Sequence, residues 1–154
     1  TFVNKFIDKK SFEAVLMGWS IGLDPDQYDI WHSYKTKEKE LKDKGEEFEC
    51  ARLIDKHSKA KQWVRNLDQA PFGFWLPTAR GKFFPDFIAE LVDGRLAVIE
   101  YKGAHLRNDP YEIEKRKVGE LWGASSGGKC VFRFVYLEDG GLNMEAQLDQ
   151  AFKN

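Results

Sequence analysis

A chain of 154 residues with 42% hydrophobic and 32% charged side chains is long enough for one compact core and too apolar for a disordered protein. Its 24 basic and 25 acidic residues leave a formal net charge of −1, so any affinity for nucleic acid would have to come from a local basic patch. Cys50 and Cys130 stand far apart with no second pair, which reads as two free, buried thiols in a reducing cytoplasm. No apolar run reaches the length of a membrane span, and the N-terminus does not read as a signal peptide. Thr1 in place of Met reads as a fragment or a trimmed chain.

In chain order, Phe12 to Trp19 is an apolar run that predicts a buried strand. Asp24-Pro25 then caps a short helix through Tyr28, Ile30 and Trp31. Residues 35–44 are almost all charged, with mixed sign, and read as a linker or the exposed start of a helix. From Glu46 to His57 the apolar residues Phe48, Ala51, Leu53 and Ile54 fall close to helical spacing. Gln62 to Asn66 is a short strand, 71–78 an aromatic and proline-rich loop, and Lys82 to Leu91 a strand. Asp93-Gly94 predicts a two-residue hairpin turn, with Arg95 to Lys102 as the returning strand. Asn108 or Asp109 caps a helix with Pro110 in its first turn, running to about Trp122. Ser125 to Gly128 breaks the chain, Cys130 to Tyr136 is a strand, and Asp139-Gly140-Gly141 turns it. Leu142 to Phe152 ends the chain as a helix, or as a strand and a helix. This order predicts an α/β domain with a mixed central sheet flanked by helices.

The chemistry concentrates in two runs, Phe84-Pro85-Asp86-Phe87-Ile88 and Val98-Ile99-Glu100-Tyr101-Lys102. Alternation puts Glu100 and Lys102 on one face of a strand, and a hairpin brings Asp86 to that face. Asp86 and Glu100 supply hard oxygen ligands for a divalent metal, with the Tyr101 carbonyl as a further one. Lys102 cannot ligate as an ammonium, but it can position a water or stabilise charge on a phosphate. The competing reading is a salt-bridged surface hairpin. Glu47 shares a helix face with Ala51 and either reaches the same metal through water or favours the helix dipole in the first turn. For Glu46 and Glu49 the dipole reading is preferred. His105, Arg107, Lys115 and Lys129, with Lys102, Arg116 and Lys117, form a basic group that can meet phosphates. The alternative is a solvated helix face paired with Glu112, Glu114 and Glu120. Zinc-ligand spacing and a phosphate-binding Gly-Lys-Ser/Thr loop are both missing from the sequence.

With these motifs in view, residues 45–136 resemble the PD-(D/E)xK nuclease superfamily. More narrowly, they resemble the C-terminal endonuclease domain of type III restriction enzyme subunits, which are helicase-nucleases. The resemblance rests on Trp63-Val64-Arg65-Asn66, Phe84-Pro85-Asp86-Phe87, Asp93-Gly94-Arg95, Ile99-Glu100-Tyr101-Lys102-Gly103, His105-Leu106, Glu114-Lys115-Arg116 and Val118-Gly119-Glu120-Leu121-Trp122. It implies a restriction-endonuclease-like core and magnesium-dependent cleavage of DNA, with Mn²⁺ able to substitute. By the same resemblance Asp86 and Glu100 hold Mg²⁺, Lys102 is catalytic and Glu47 is the helix carboxylate. The partners implied are DNA and, in a full-length relative, a helicase motor and a modification subunit; the motor is missing here. The first 33 residues are similar instead to a piece of the C-terminal lobe of periplasmic peptide-binding proteins of ABC transporters. That match rests on Phe12 to Ser20, Leu23-Asp24-Pro25-Asp26 and Tyr28 to Ser33. Together the two resemblances imply a fusion, with a solute-binding-protein-like segment at 1–34 and the nuclease-like domain at 35–154. Beside the nuclease stand two other readings: a fragment of a peptide-binding protein, or an inactive chimera. The apolar run from Phe12 to Trp19 is expected to add an edge strand to the sheet or to drive self-association, with a homodimer as one outcome.

Overall fold

The computed structural model describes residues 45–66 and 73–153. The expected strand at Phe12 to Trp19, the Asp24-Pro25 helix, the charged segment and the whole peptide-binding-protein resemblance lie outside the described residues. Within them, helix α1 (Glu46–Lys56) leads to strand β1 (Ala60–Arg65), a small hairpin of β2 (Leu76–Thr78) and β3 (Gly81–Phe83), and the pair β4 (Phe87–Leu91) and β5 (Leu96–Tyr101). A short 3₁₀ turn (Ala104–Leu106) precedes α2 (Pro110–Ala124), after which come β6 (Cys130–Val135), the hairpin β7 (Glu138–Asp139) and β8 (Leu142–Asn143), and α3 (Met144–Phe152). The main sheet has the order β1-β4-β5-β6, antiparallel except for the parallel β5–β6 pair. The expected mixed α/β sheet is therefore present.

The sheet is covered on both faces, so β4 and β5 are almost wholly buried and lose the hydrophobic–polar alternation of a half-exposed strand. One face packs Ile88, Leu96, Val98 and Phe134 against Trp122 of α2 and the hairpin residues Phe74, Leu76 and Phe83. The other packs Phe87, Ala89, Ala97 and Ile99 against Ile54 of α1 and Leu148 and Phe152 of α3. Cys50 and Cys130 are free and buried, as expected. No helix among the described residues is long and apolar enough to cross a membrane.

Three expectations need correction. The run Lys82 to Leu91 is two strands, because Phe84-Pro85-Asp86 leaves the sheet between β3 and β4. Pro85 has no N–H to donate to a ladder, and β3 pairs with β2 instead. The stretch read as a loop up to Thr78 therefore ends in a strand. Third, the hairpin between β4 and β5 closes on three residues, Val92, Asp93 and Gly94. The Leu91 N–H donates to the Arg95 carbonyl at 2.8 Å, and Gly94 takes the left-handed φ of 89° that this loop requires. The chain end from Leu142 onward resolves as strand plus helix.

Helix α2 has the Asp109 cap with Pro110 in its first turn, the Asp109 side chain accepting from the N–H groups of Tyr111 and Glu112. It lies close to β6 because Gly119 and Gly123 face that strand. A Cβ on Gly119 would stand 2.2 Å from Cε1 of Phe132, and one on Gly123 would stand 3.4 Å from the Phe132 nitrogen. The Phe132 ring is held in turn by Phe83 and Phe134, at centroid distances of 6.2 and 5.7 Å. Gly119→Ala should therefore destabilise the fold by about 1–3 kcal/mol, despite the usual gain of replacing glycine in a helix. Adding Phe132→Leu should recover part of that loss, as measured by urea midpoints of the two variants and the double variant.

Candidate active site

The site forms where three strands end together: the end of β1, the start of β4 and the end of β5. The three-residue hairpin loop sets its register. Phe87 pairs with Ile99 and Ile88 with Val98, so the next pair outward is Asp86 with Glu100. The two-residue turn expected from Asp93-Gly94 would shift this by one and place Asp86 opposite Tyr101, with its side chain on the wrong face. With the observed loop the two carboxyls face each other on the α2 side of the sheet, above Ile88 and Val98.

Their bonding is reciprocal. The Asp86 N–H donates to Glu100 Oε1 at 3.1 Å, and the Tyr101 N–H donates to Asp86 Oδ2 at 2.9 Å. Each carboxyl thus caps the other strand's backbone. The two side chains also interact directly, which lowers Asp86 and raises Glu100. Burial pushes Asp86 up to about 6, against the pull of that interaction, with the Glu47 charge adding to the rise. Glu100 is pushed well above the usual carboxylate range, first by burial and then by the charge of Asp86 and the direct interaction with it; Lys102 and Lys115 oppose the rise.

Lys102 lies beyond Glu100 on the same face, with Nζ 3.4 Å from Glu100 Oε2 and 3.1 Å from Glu112 Oε2. Burial disfavours its ammonium, but Glu100 and Glu112 outweigh that and raise its pKa, so it stays charged. Glu112, in the first turn of α2, also holds Lys115 at 3.1 Å. One carboxylate thereby spaces two ammoniums along the cleft. The cleft itself encloses about 340 Å³ and is lined by Arg65, Lys82, Phe84, Asp86, Glu100 and Lys102, among others.

The other expected site residues divide. Glu47 is buried on α1 and accepts from Arg65 Nη2 at 3.0 Å, while Arg65 lines the cleft, so Glu47 is coupled to the site through that guanidinium. Tyr101 is brought to the site through its N–H, and its hydroxyl donates to Glu46. Lys115 is brought to the cleft. His105 is exposed in the 3₁₀ turn just past β5. Arg107 is turned away: it pairs with Asp139 at 2.7 Å, donates to the Glu138 carbonyl and stacks over Tyr136 at 4.1 Å, bracing the β7–β8 hairpin. Lys129 sits at the opposite end of the sheet, its carbonyl accepting from Leu96 N–H at the start of β5, roughly 16 Å along the strand from Tyr101 at about 3.3 Å per residue. It belongs to a different surface.

Arg65, Glu112 and Lys82 were not singled out for the site in the sequence. The signal for Glu112 was its place three residues after the Asp109 cap, where a carboxylate is stabilised by the helix end. Asn66 also belongs here. It is buried, its N–H donates to the Asp86 carbonyl at 2.7 Å, and its side chain donates to and accepts from the Phe74 backbone at 2.6 and 2.9 Å. It ties the β2–β3 hairpin to the strand end that carries Asp86.

The raised carboxyls have a consequence for stability. Both bind protons more tightly folded than unfolded, so their contribution to stability is fully present below pH 3.8, the ordinary value for Asp. It is lost as the pH rises through about 6 for Asp86 and through the raised range of Glu100. In EDTA at pH 8, Glu100→Gln should melt above the wild type, because the charge that must be buried at Glu100 is removed. The gain should vanish below about pH 4, where the wild-type pair is protonated. Thermal melts across that pH range check it, and equal melting of the two proteins at pH 8 would contradict it.

Compared with protein-family models, with curated proteins and with solved structures, the chain matches none, and the functional reading stands on the site's own geometry.

Proposed function

We propose that residues 45–153 form a restriction-endonuclease-like domain that hydrolyses phosphodiester bonds in DNA with a divalent metal, Mg²⁺ or Mn²⁺. The observation that carries the reading is the opposed Asp86–Glu100 pair with Lys102 two residues beyond, on one face of the strand end. Two carboxyls crowded together in a buried site, both raised by that burial, are a poor resting state for a structural salt bridge but a suitable cradle for a cation. No cluster of three or more acidic, His or Cys donors occurs among the described residues. Two carboxyls are nonetheless enough for Mg²⁺, which binds through one or two carboxylates and keeps several waters and phosphate oxygens. Asp86 and Glu100 would hold the ion, and the Tyr101 carbonyl is the remaining candidate donor.

Bound there, Mg²⁺ supplies Lewis-acid stabilisation of the phosphate and a more acidic water. The rest falls to the protein. Lys102, fixed by Glu100 and Glu112, carries a positive charge at the point where negative charge grows on the phosphate. Arg65 and Lys115 extend that field along the cleft and favour an anionic polymer. The strand end holds its carboxyls by backbone N–H groups, so the site is organised before a substrate arrives.

The full chain should cleave DNA in Mg²⁺ and not in EDTA. Asp86→Asn and Lys102→Ala should each lower the cleavage rate by about 10²–10³-fold with unchanged circular dichroism. Full cleavage by both variants, or none by the wild type at any Mg²⁺ or Mn²⁺ concentration, would sink the assignment.

A further inference from the structure

Glu100 divides its two oxygens. Oε1 accepts the Asp86 N–H at 3.1 Å, and Oε2 faces the Lys102 ammonium at 3.4 Å. A cation held by Asp86 and Glu100 therefore competes with Lys102 for Oε2, because two positive charges crowded on one oxygen repel each other. An ammonium with Glu100 as its one counterion would close on that oxygen, since attraction strengthens where water is excluded. Lys102 does not close on it. Its Nζ stands nearer to Glu112, 3.1 Å from Oε2 of that residue.

The surroundings of Glu112 fit it for this. It lies in the first turn of α2, where the helix end favours a carboxylate. Its side chain is 12% exposed and that of Lys102 16%, so salt screens the pair little. Glu112 Oε1 accepts from Lys115 at 3.1 Å, and Lys115 Nζ in turn lies 4.5 Å from the Tyr111 ring and 5.4 Å from the Phe83 ring. Oε2 is buried and has no hydrogen-bond partner among the described residues; Lys102 is its ion-pair partner. The root of Lys102 is fixed as well, its N–H donating to the Val135 carbonyl at 2.9 Å. The ammonium thus stands between two carboxylates and nearer to the one outside the metal pair.

We propose that Glu112 is a positioning residue that draws Lys102 off Glu100 and so keeps Glu100 Oε2 open to the divalent metal; this role rests on the metal-binding half of the nuclease reading and not on cleavage. Without the Glu112 charge, Lys102 settles on Glu100, and an incoming ion has to displace it. With that charge, the ammonium stays beside the carboxyl pair without occupying it. Groups that orient the neighbours of a metal ligand commonly change metal affinity by about 10–100-fold when removed. Glu112 acts in this way through Lys102, with no contact to the ion.

The test is calorimetric titration of Mn²⁺ into the metal-free full chain, without DNA. Glu112→Gln, which keeps the side chain's shape, should weaken Mn²⁺ binding about tenfold. Lys102→Met should bind Mn²⁺ more tightly than the wild type, because the competing ammonium is gone. In the Lys102→Met background, Glu112→Gln should change the affinity less than about twofold, since the residue it acts through is no longer there. Equal Mn²⁺ affinity of Glu112→Gln and the wild type would overturn this role. So would no tightening in Lys102→Met, or the same tenfold loss in both backgrounds, which would make Glu112 a source of distant charge and no more. A wild type that binds no Mn²⁺ would overturn the metal reading together with this role. The expected binding pattern without cleavage of DNA would overturn the nuclease reading and leave the role of Glu112 standing.

Discussion

Two carboxyls held face to face at the buried end of a β-sheet are the constraint around which this domain is organised. Asp86 and Glu100 cannot both be ionised there without cost, and each is fixed by a backbone N–H of the opposite strand. The strain is electrostatic, and the surrounding residues are arranged to contain it. Lys102 stands beside Glu100, and Arg65 brings positive charge toward Asp86 from the other face. Burial of this kind without a balancing charge would favour replacement by apolar residues. Its presence at the mouth of a cleft fits a site that is kept for chemistry at some expense of stability.

The scaffold's contribution is to make that arrangement rigid. Apolar layers on both faces of β4 and β5 leave those strands little freedom to slip. The glycines of α2 let the helix approach β6 closely, which carries the first turn of the helix, with Tyr111, Glu112 and Lys115, to the rim of the cleft. Asn66 joins the small hairpin to the same strand end. Cleft walls and floor are thereby tied to one point, and a change in any of the three elements moves charges near the carboxyl pair.

Much of this could be read from the residues. The helix at Glu46, the cap at Asp109-Pro110, the strand from Cys130 and the turn signal at Asp93-Gly94 follow from local rules and are where they were expected. The convergence of Asp86, Glu100 and Lys102 was expected too, although the register that produces it was not. The strand break at Pro85 and the pairing of β2 with β3 were less legible, because short apolar runs read alike whether they join a main sheet or a separate hairpin. Among the basic residues, Lys115 reaches the cleft, whereas Arg107 is taken up by Asp139 and Tyr136, and Lys129 is carried to the far end of the sheet. Nearness in sequence to Lys102 held no information about which of them would face it.

The amino-acid sequence by itself determined the elements and the types of group that could do chemistry: hard oxygen donors on two neighbouring strands and an ammonium two positions beyond one of them. Local spacing suffices for that, since alternation along a strand is fixed by the pleat. Tertiary structure alone decided that Asp86 stands opposite Glu100 rather than Tyr101, that Glu112 holds Lys102 and Lys115 apart, and that Arg65 links Glu47 to the cleft. The first turned on one extra residue in a hairpin loop, and the others on how a helix packs across a sheet. The packing depends on contacts between residues distant in sequence, which no local pattern encodes, and the Asp93-Gly94 signal alone does not fix the loop length.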